Sequence, residues 1–211
     1  MENPLFEGPA GEPPKAVCLT MDAGLVPCFH PMLQAGFFVK ARVGKSIDHF
    51  LCEQMGISPN YVREKISTIF LDGKPVDDID SAIIGQGSVL ALSSAMPGLV
   101  GATMRRKGFY ASLRNTITHS DDEGSIEERE GFFRVKVFNL LMADLASPFF
   151  ERGIYVPSRD LEEFFVSLGD RFFGGIRGMI LDGQSADPGC LGKGGWPSGR
   201  DWTLLKLCKS R

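Results

Sequence analysis

The chain lacks most of the features that would declare a chemistry. No apolar run approaches the ~20 residues a helix needs to cross a bilayer, so no membrane partner is expected. It opens without the basic-then-apolar pattern of a secretory leader. Its five cysteines, Cys18, Cys28, Cys52, Cys190 and Cys208, are an odd set without regular spacing. Reduced thiols and a cytoplasmic location are therefore the expectation. Charge is close to balanced, with 23 lysines and arginines against 26 aspartates and glutamates and a formal net charge of -3. That removes any global attraction to polyanions and leaves only local basic patches.

Complete catalytic and ligand-binding motifs are missing too. Val43-Gly44-Lys45-Ser46 lies between a strand pattern and a helix pattern, as a phosphate-binding loop does, but that motif wants a glycine where Val39 stands. Cys28-Phe29-His30, His49-Phe50-Leu51-Cys52 and Cys18 carry metal-ligating atoms at spacings that match no strong zinc pattern. The stretch Gly-Cys-Leu-Gly-Lys-Gly-Gly-Trp from Gly189 reads as a surface loop rather than an anion nest. The chain is expected to work without catalysis of its own, without a cofactor and without a metal.

What is present is scaffold. At 211 residues and 43% hydrophobic composition the chain can bury two cores of ordinary domain size. Residues 1–14, with four prolines, read as an extended arm, and Ala16 to Met21 as a strand. Phe37 to Val43 alternates apolar and polar residues as a half-buried strand does. Ser46 is placed to cap a helix running to Met55, and Ser58-Pro59 opens a second. Ile66 to Leu71 ends in Asp72-Gly73, the dipeptide best suited to a tight hairpin, and Gly85-Gln86-Gly87 makes a further turn before the strand Val89 to Leu92. From Met96 the pattern loosens, with Pro97-Gly98 as a turn and Gly101 as a flexible point.

Residues 119–131 are acidic with one apolar residue in their first twelve, which marks a linker or loop between a first domain at 15–118 and a second at 132–211. The second half restarts with a strand from Phe132 to Met142. Ile154 to Val156 is a short strand, a helix carries Leu161, Phe164, Phe165 and Leu168, and Gly178 to Leu181 leads into the turn Asp182-Gly183. Trp202 to Leu207 is the closing strand. Five Phe-Phe pairs read as a buried ring beside a half-buried one.

The halves echo each other. Phe-Phe-Val-Lys-Ala-Arg-Val, a helix and Phe-Leu-Asp-Gly-Lys-Pro-Val are answered by Phe-Phe-Arg-Val-Lys-Val-Phe, a helix and Ile-Leu-Asp-Gly-Gln-Ser-Ala. Over Ala16 to Gly98, and best from Phe70 to Leu92, this order resembles the β-grasp fold of ubiquitin-like and sulfur-carrier proteins, in which a mixed sheet curls around one helix. The resemblance implies an α+β chain of two β-grasp-like units. The C-terminal Gly-Gly through which the sulfur carriers act has no counterpart, since the corresponding segment is Pro97-Gly98-Leu99-Val100-Gly101 and the sequence ends Lys209-Ser210-Arg211. Ile47 to Leu92 also resembles the S4 module of RNA-binding proteins, two short helices before a hairpin, although Arg63 and Lys65 are offset by Glu53 and Glu64 on what that module would make a basic face.

One segment combines charge with stacking surfaces. Arg105, Arg106, Lys107 and Arg114, interleaved with Phe109 and Tyr110, carry what single-stranded nucleic acid needs, or pair with the acidic run that follows. The expected function is a binding or assembly module with a protein partner or self-association. RNA binding through an S4-like module is the alternative.

Overall fold

A computed structural model of the chain describes residues 8–9, 14–106, 108–109, 127–194 and 200–209. Helices and a mixed set of strands both contribute, so the chain is α+β. Its contacts gather into two compact units: Met1–Gly8 with Met32–Pro148, and Pro9–Pro31 with Phe149–Arg211. This division does not follow the domain ranges read from the sequence. The strand expected to open a second domain at Phe132 lies in the first unit, and the first strand of the chain lies in the second. Most of the expected arm and of the acidic linker fall outside the described residues.

Besides two 3-10 helices, at Ala23–Phe29 and Pro188–Lys193, the elements up to the third helix are, in chain order, β1 (Lys15–Met21), α1 (His30–Ala35), β2 (Phe37–Val43), β3 (Lys45–Ser46), a π-helical turn (His49–Gln54), α2 (Pro59–Lys65), β4 (Thr68–Leu71), β5 (Lys74–Pro75), β6 (Ile83–Ile84), β7 (Val89–Ser93) and α3 (Gly98–Met104). There follow β8 (Arg129–Phe138), α4 (Leu141–Arg152), β9 (Ile154–Pro157), α5 (Ser158–Ser167), α6 (Asp170–Phe173), β10 (Ile176–Leu181), β11 (Gln184–Ala186) and β12 (Trp202–Lys209).

In unit 1, β2 runs antiparallel to β8, β8 parallel to β7, β7 antiparallel to β4, and β4 antiparallel to β5. Phe37, Val39, Ala41 and Val43 of β2 alternate inward, as do Phe133, Val135 and Val137 of β8. Phe50 of the π-helical turn meets Phe133 edge to face, ring centroids 4.8 Å apart. Ser46, expected to cap an α-helix, sits in the short strand β3, yet its Oγ still accepts from the His49 amide at 3.2 Å. Ser58 caps α2 by accepting from the Tyr61 amide, with Pro59 in the first turn as anticipated.

Unit 2 repeats the same arrangement. Here β9 runs antiparallel to β12, β12 parallel to β1, β1 antiparallel to β10, and β10 antiparallel to β11. The registers match up to a shift between Thr20 and Met21 in unit 2. Leu71 faces Leu90 and Lys74, while Leu181 faces Val17 and Gln184. Phe37 and Leu90 both face Val135, while Ile154 and Val17 both face Leu205.

The two Asp-Gly turns share a further device. Asp72 (φ +51) and Gly73 (φ +79) form the unit 1 turn, Asp182 (φ +49) and Gly183 (φ +81) that of unit 2. Two successive positive φ values match a hairpin turn to the twist of its strands. Each aspartate then fastens the turn to the next strand. The Asp72 amide donates to the Val89 carbonyl at 2.9 Å while its Oδ1 accepts from the Val89 amide at 2.7 Å. The Asp182 amide donates to the Ala16 carbonyl at 2.8 Å while its Oδ1 accepts from the Ala16 amide at 2.8 Å.

The repeat is therefore real in three dimensions, and the two Asp-Gly hairpins of the sequence echo do correspond, but its opening strands do not. Phe-Phe-Val-Lys-Ala-Arg-Val and Phe-Phe-Arg-Val-Lys-Val-Phe are β2 and β8, neighbours in one sheet. By register β2 corresponds to β9, β8 to β12 and β7 to β1. In unit 2 the strand beside the hairpin comes from near the start of the chain instead of from the segment after the hairpin. The core of unit 2 is aromatic. Phe29, fully buried, lies between the rings of Phe150, Phe164, Phe165 and Phe172 at centroid distances of 5.3 to 6.2 Å.

Four helices, α1, α3, α4 and α6, were hidden in the sequence. The apolar run after Phe138 does not extend the strand; Asn139 adopts φ +58 and turns the chain into α4. Gly101 is no flexible point but a buried residue of α3, where a Cβ would collide with the Met96 carbonyl.

Candidate functional site

Of the basic segment expected to bind nucleic acid, the described residues are Arg105, Arg106 and Phe109; Lys107, Tyr110 and Arg114 lie outside them. Arg106 turns inward. Its amide donates to the Ser67 carbonyl at 2.8 Å and its Nη2 to the Val62 carbonyl at 3.2 Å, which ties the end of α3 to the α2–β4 connection. Burial holds its pKa below the ordinary arginine value, against the opposing pull of Asp77, Asp80 and Asp48. Arg106 is a structural anchor within unit 1. Arg105 and Phe109 are exposed, Phe109 at 91%.

The phosphate-loop lookalike is likewise spent on structure. The Gly44 amide donates to the Ile84 carbonyl at 2.8 Å, Lys45 pairs with Ile84 in the β3–β6 ladder, and the Lys45 ammonium is bonded to Glu128. Among the described residues no group of three or more histidine, cysteine, aspartate or glutamate side chains is arranged to hold a metal. Cys52 instead donates its thiol to Asp48 Oδ1 at 3.4 Å; burial first, then that bond, pushes its pKa up to about 11. No described helix is long and apolar enough to cross a membrane.

A different cluster emerges from the sheet itself. The alternation that sends Phe37, Val39 and Ala41 inward sends Phe38, Lys40 and Arg42 to the opposite face of β2, and on β8 it sends Phe132, Arg134, Lys136 and Phe138 there. Register places these side chains side by side: Phe38 faces Arg134, Lys40 faces Phe132, and Arg42 faces Glu130. On the far side of β8, Lys136 faces Ala91 and Arg134 faces Val89.

Roles within the cluster differ. Arg134 is committed to structure: its Nη2 donates to the Ala35 carbonyl at 2.9 Å, and its guanidinium lies 6.0 Å from the centroid of the Phe38 ring, in cation–π range. Arg42 is exposed and its backbone is clamped on both sides by Gln54, whose Oε1 accepts from the Arg42 amide at 2.8 Å and whose Nε2 donates to the Arg42 carbonyl at 3.1 Å. The Lys40 ammonium, its side chain 49% exposed, lies 3.4 Å from Glu130. Such an exposed pair is worth about 0–1 kcal/mol, so a phosphate can replace the carboxylate at little cost. Three cations, Lys40, Arg42 and Lys136, thus stand among the half-buried rings of Phe38, Phe132 and Phe138.

Compared with known protein families, characterised proteins and solved structures, the chain matches none. The reading of the site therefore stands on its chemistry alone.

Proposed function

We propose that the chain is a non-catalytic binding module of two β-grasp-like units, and that the outer face of the unit 1 sheet receives single-stranded nucleic acid. The observation that carries this is the register that interleaves Lys40, Arg42 and Lys136 with Phe38, Phe132 and Phe138 on one sheet face. Bases of any sequence can stack on aromatic rings, while cations between the rings take the phosphates. Two central parallel strands with antiparallel neighbours and a hairpin on one side support the β-grasp-like reading of each unit. The inward course of Arg106 speaks for the sheet face over the basic segment as the contact surface.

Fluorescence anisotropy with a labelled twelve-residue oligouridylate and the matching deoxy-oligomer tests it. The full chain is expected to bind both, and Phe132→Ala is expected to weaken binding by about 1–3 kcal/mol, the worth of one stacked base. Binding of neither oligomer at low salt, or binding that ignores Phe132, removes the nucleic-acid reading.

A second reading, docking of a protein or a second copy, draws on α3, where Leu99 is 72% and Val100 63% exposed. Light scattering on the eluting protein tests self-association: Leu99→Lys should dissociate an oligomer built on that helix, and a wild-type monomer at all concentrations speaks against it.

A further inference from the structure

We propose that Cys18 and Cys208 form a two-thiol site on unit 2 for a soft monovalent metal ion of the copper(I) class. The two residues stand on β1 and β12, strands from opposite ends of the chain that run side by side. Their Sγ atoms lie 3.3 Å apart, close enough for one thiol to donate to the other. Cys18 is half-buried and Cys208 exposed, so an incoming ion reaches the pair from solvent.

The register decides between a disulfide and a shared ion. Cys18 faces Lys206, and Cys208 faces Thr20, so the cysteines are diagonal neighbours two residues out of step. With strands about 4.8 Å apart and a rise of about 3.3 Å per residue, their Cα atoms are separated by roughly 8 Å. A disulfide needs less than about 7 Å, so the sheet would have to shear to close one. An ion between the sulfurs asks for more separation instead. Metal–sulfur bonds of about 2.3 Å set two sulfurs roughly 3.8 Å apart when bent at the tetrahedral angle and about 4.6 Å when linear. Rotation of the exposed Cys208 side chain supplies that opening without moving either strand.

The class of ion follows from the donors. Two thiols with no third histidine, cysteine or carboxylate beside them among the described residues suit a soft ion content with two ligands, and leave zinc, which takes four, unsatisfied. The charge also closes. One copper(I) and two thiols give a dithiolate complex of charge -1 with release of two protons, and no electron changes hands. Lys206, on the same outward face and directly opposite Cys18, supplies a neighbouring positive charge. The corresponding places in unit 1 are Ala91 and Phe138, so the pair is not something the repeated sheet requires.

The test uses the full, reduced chain under anaerobic conditions, titrated with copper(I) against a chromophoric copper(I) chelator. The expected result is one tightly held equivalent per chain, two protons released, and thiolate-to-metal absorption in the ultraviolet. Cys208→Ser, at an exposed position, and Cys18→Ser should each lower the affinity by at least about a hundredfold. Cys28→Ser, Cys52→Ser and Cys190→Ser should leave it unchanged. Failure of the wild type to compete with the chelator, or an affinity indifferent to Cys208→Ser, overturns the proposal. So does ready closure of a Cys18–Cys208 disulfide by a mild disulfide-exchange oxidant, because it would show that the thiols meet in a way the register disfavours. None of these outcomes bears on nucleic-acid binding by unit 1.

Discussion

Replacing Asp72 by alanine isolates the device that both units share. The wild-type carboxylate accepts from the Val89 amide at 2.7 Å and from the Ser88 hydroxyl at 3.0 Å, and the residue itself sits at φ +51. A hydrogen bond to a charged group contributes about 1.5–3 kcal/mol, with the lower end suited to an exposed turn. Alanine in the left-handed region adds about 1 kcal/mol that aspartate, tolerant of that region, largely avoids. The expected loss is thus about 2.5 kcal/mol, and since 1.4 kcal/mol is about tenfold, native-state hydrogen exchange of the Val89 amide should quicken by well over tenfold. Asp72→Asn keeps both the turn conformation and an acceptor oxygen, so it should cost only about 1 kcal/mol. Asp182→Ala should do to the Ala16 amide what Asp72→Ala does to that of Val89, leaving each other's turn protected. Should Val89 exchange change less than twofold in Asp72→Ala, the carboxylate is not what fastens the turn, and the shared device loses its physical basis.

Other consequences follow from named contacts. Gly36→Ala and Gly153→Ala each put a side chain at φ +103, against Arg134 Nε at 2.7 Å and Leu204 Cδ1 at 2.8 Å respectively, and each should cost about 1–3 kcal/mol in chemical denaturation. Phe29→Ala empties the centre of the unit 2 aromatic cluster and should cost about 3–5 kcal/mol, read as a lowered transition for that unit. Burial, then bonding to Cys208 and Asp48 respectively, raises the Cys18 and Cys52 thiols from 9.0 to about 11. The unfolded thiols therefore ionise first as pH rises: this contribution to stability is whole below pH 9 and is lost through about 11, and denaturation midpoints should fall across that window. Tyr61, raised by burial and then by its 2.8 Å bond to Asp144, should remain a neutral phenol in ultraviolet titrations at pH values where an ordinary tyrosine ionises.

Local structure was legible where one residue type leaves the backbone little choice. Asp72-Gly73 and Asp182-Gly183 announced their turns, Ser58-Pro59 its helix start, and the alternation from Phe37 to Val43 its strand. The Phe-Phe pairs behaved as buried-plus-half-buried at 37-38, 132-133, 164-165 and 172-173, but both Phe149 and Phe150 are buried. Both lie in α4. That helix was missed because Pro148 interrupts its pattern and its apolar start, Leu141-Met142, continues the strand's hydrophobicity. Topology was beyond reach for another reason: nothing in the letters of β1 says that it will lie beside β12, at the far end of the sequence. The sheet-face cluster stayed hidden for the same cause. Each strand shows its basic residues in alternation, but only the pairing of β2 with β8, some ninety residues on, brings Lys40 beside Phe132.

The most direct test of the central claim is the salt dependence of oligouridylate binding. Three phosphates neutralised by Lys40, Arg42 and Lys136 predict a slope of log affinity against log salt of about -2, falling toward about -0.7 in Lys40→Ala/Arg42→Ala. A slope near zero in the wild type, or one that the double substitution leaves untouched, would show that the ligand does not lie across this face.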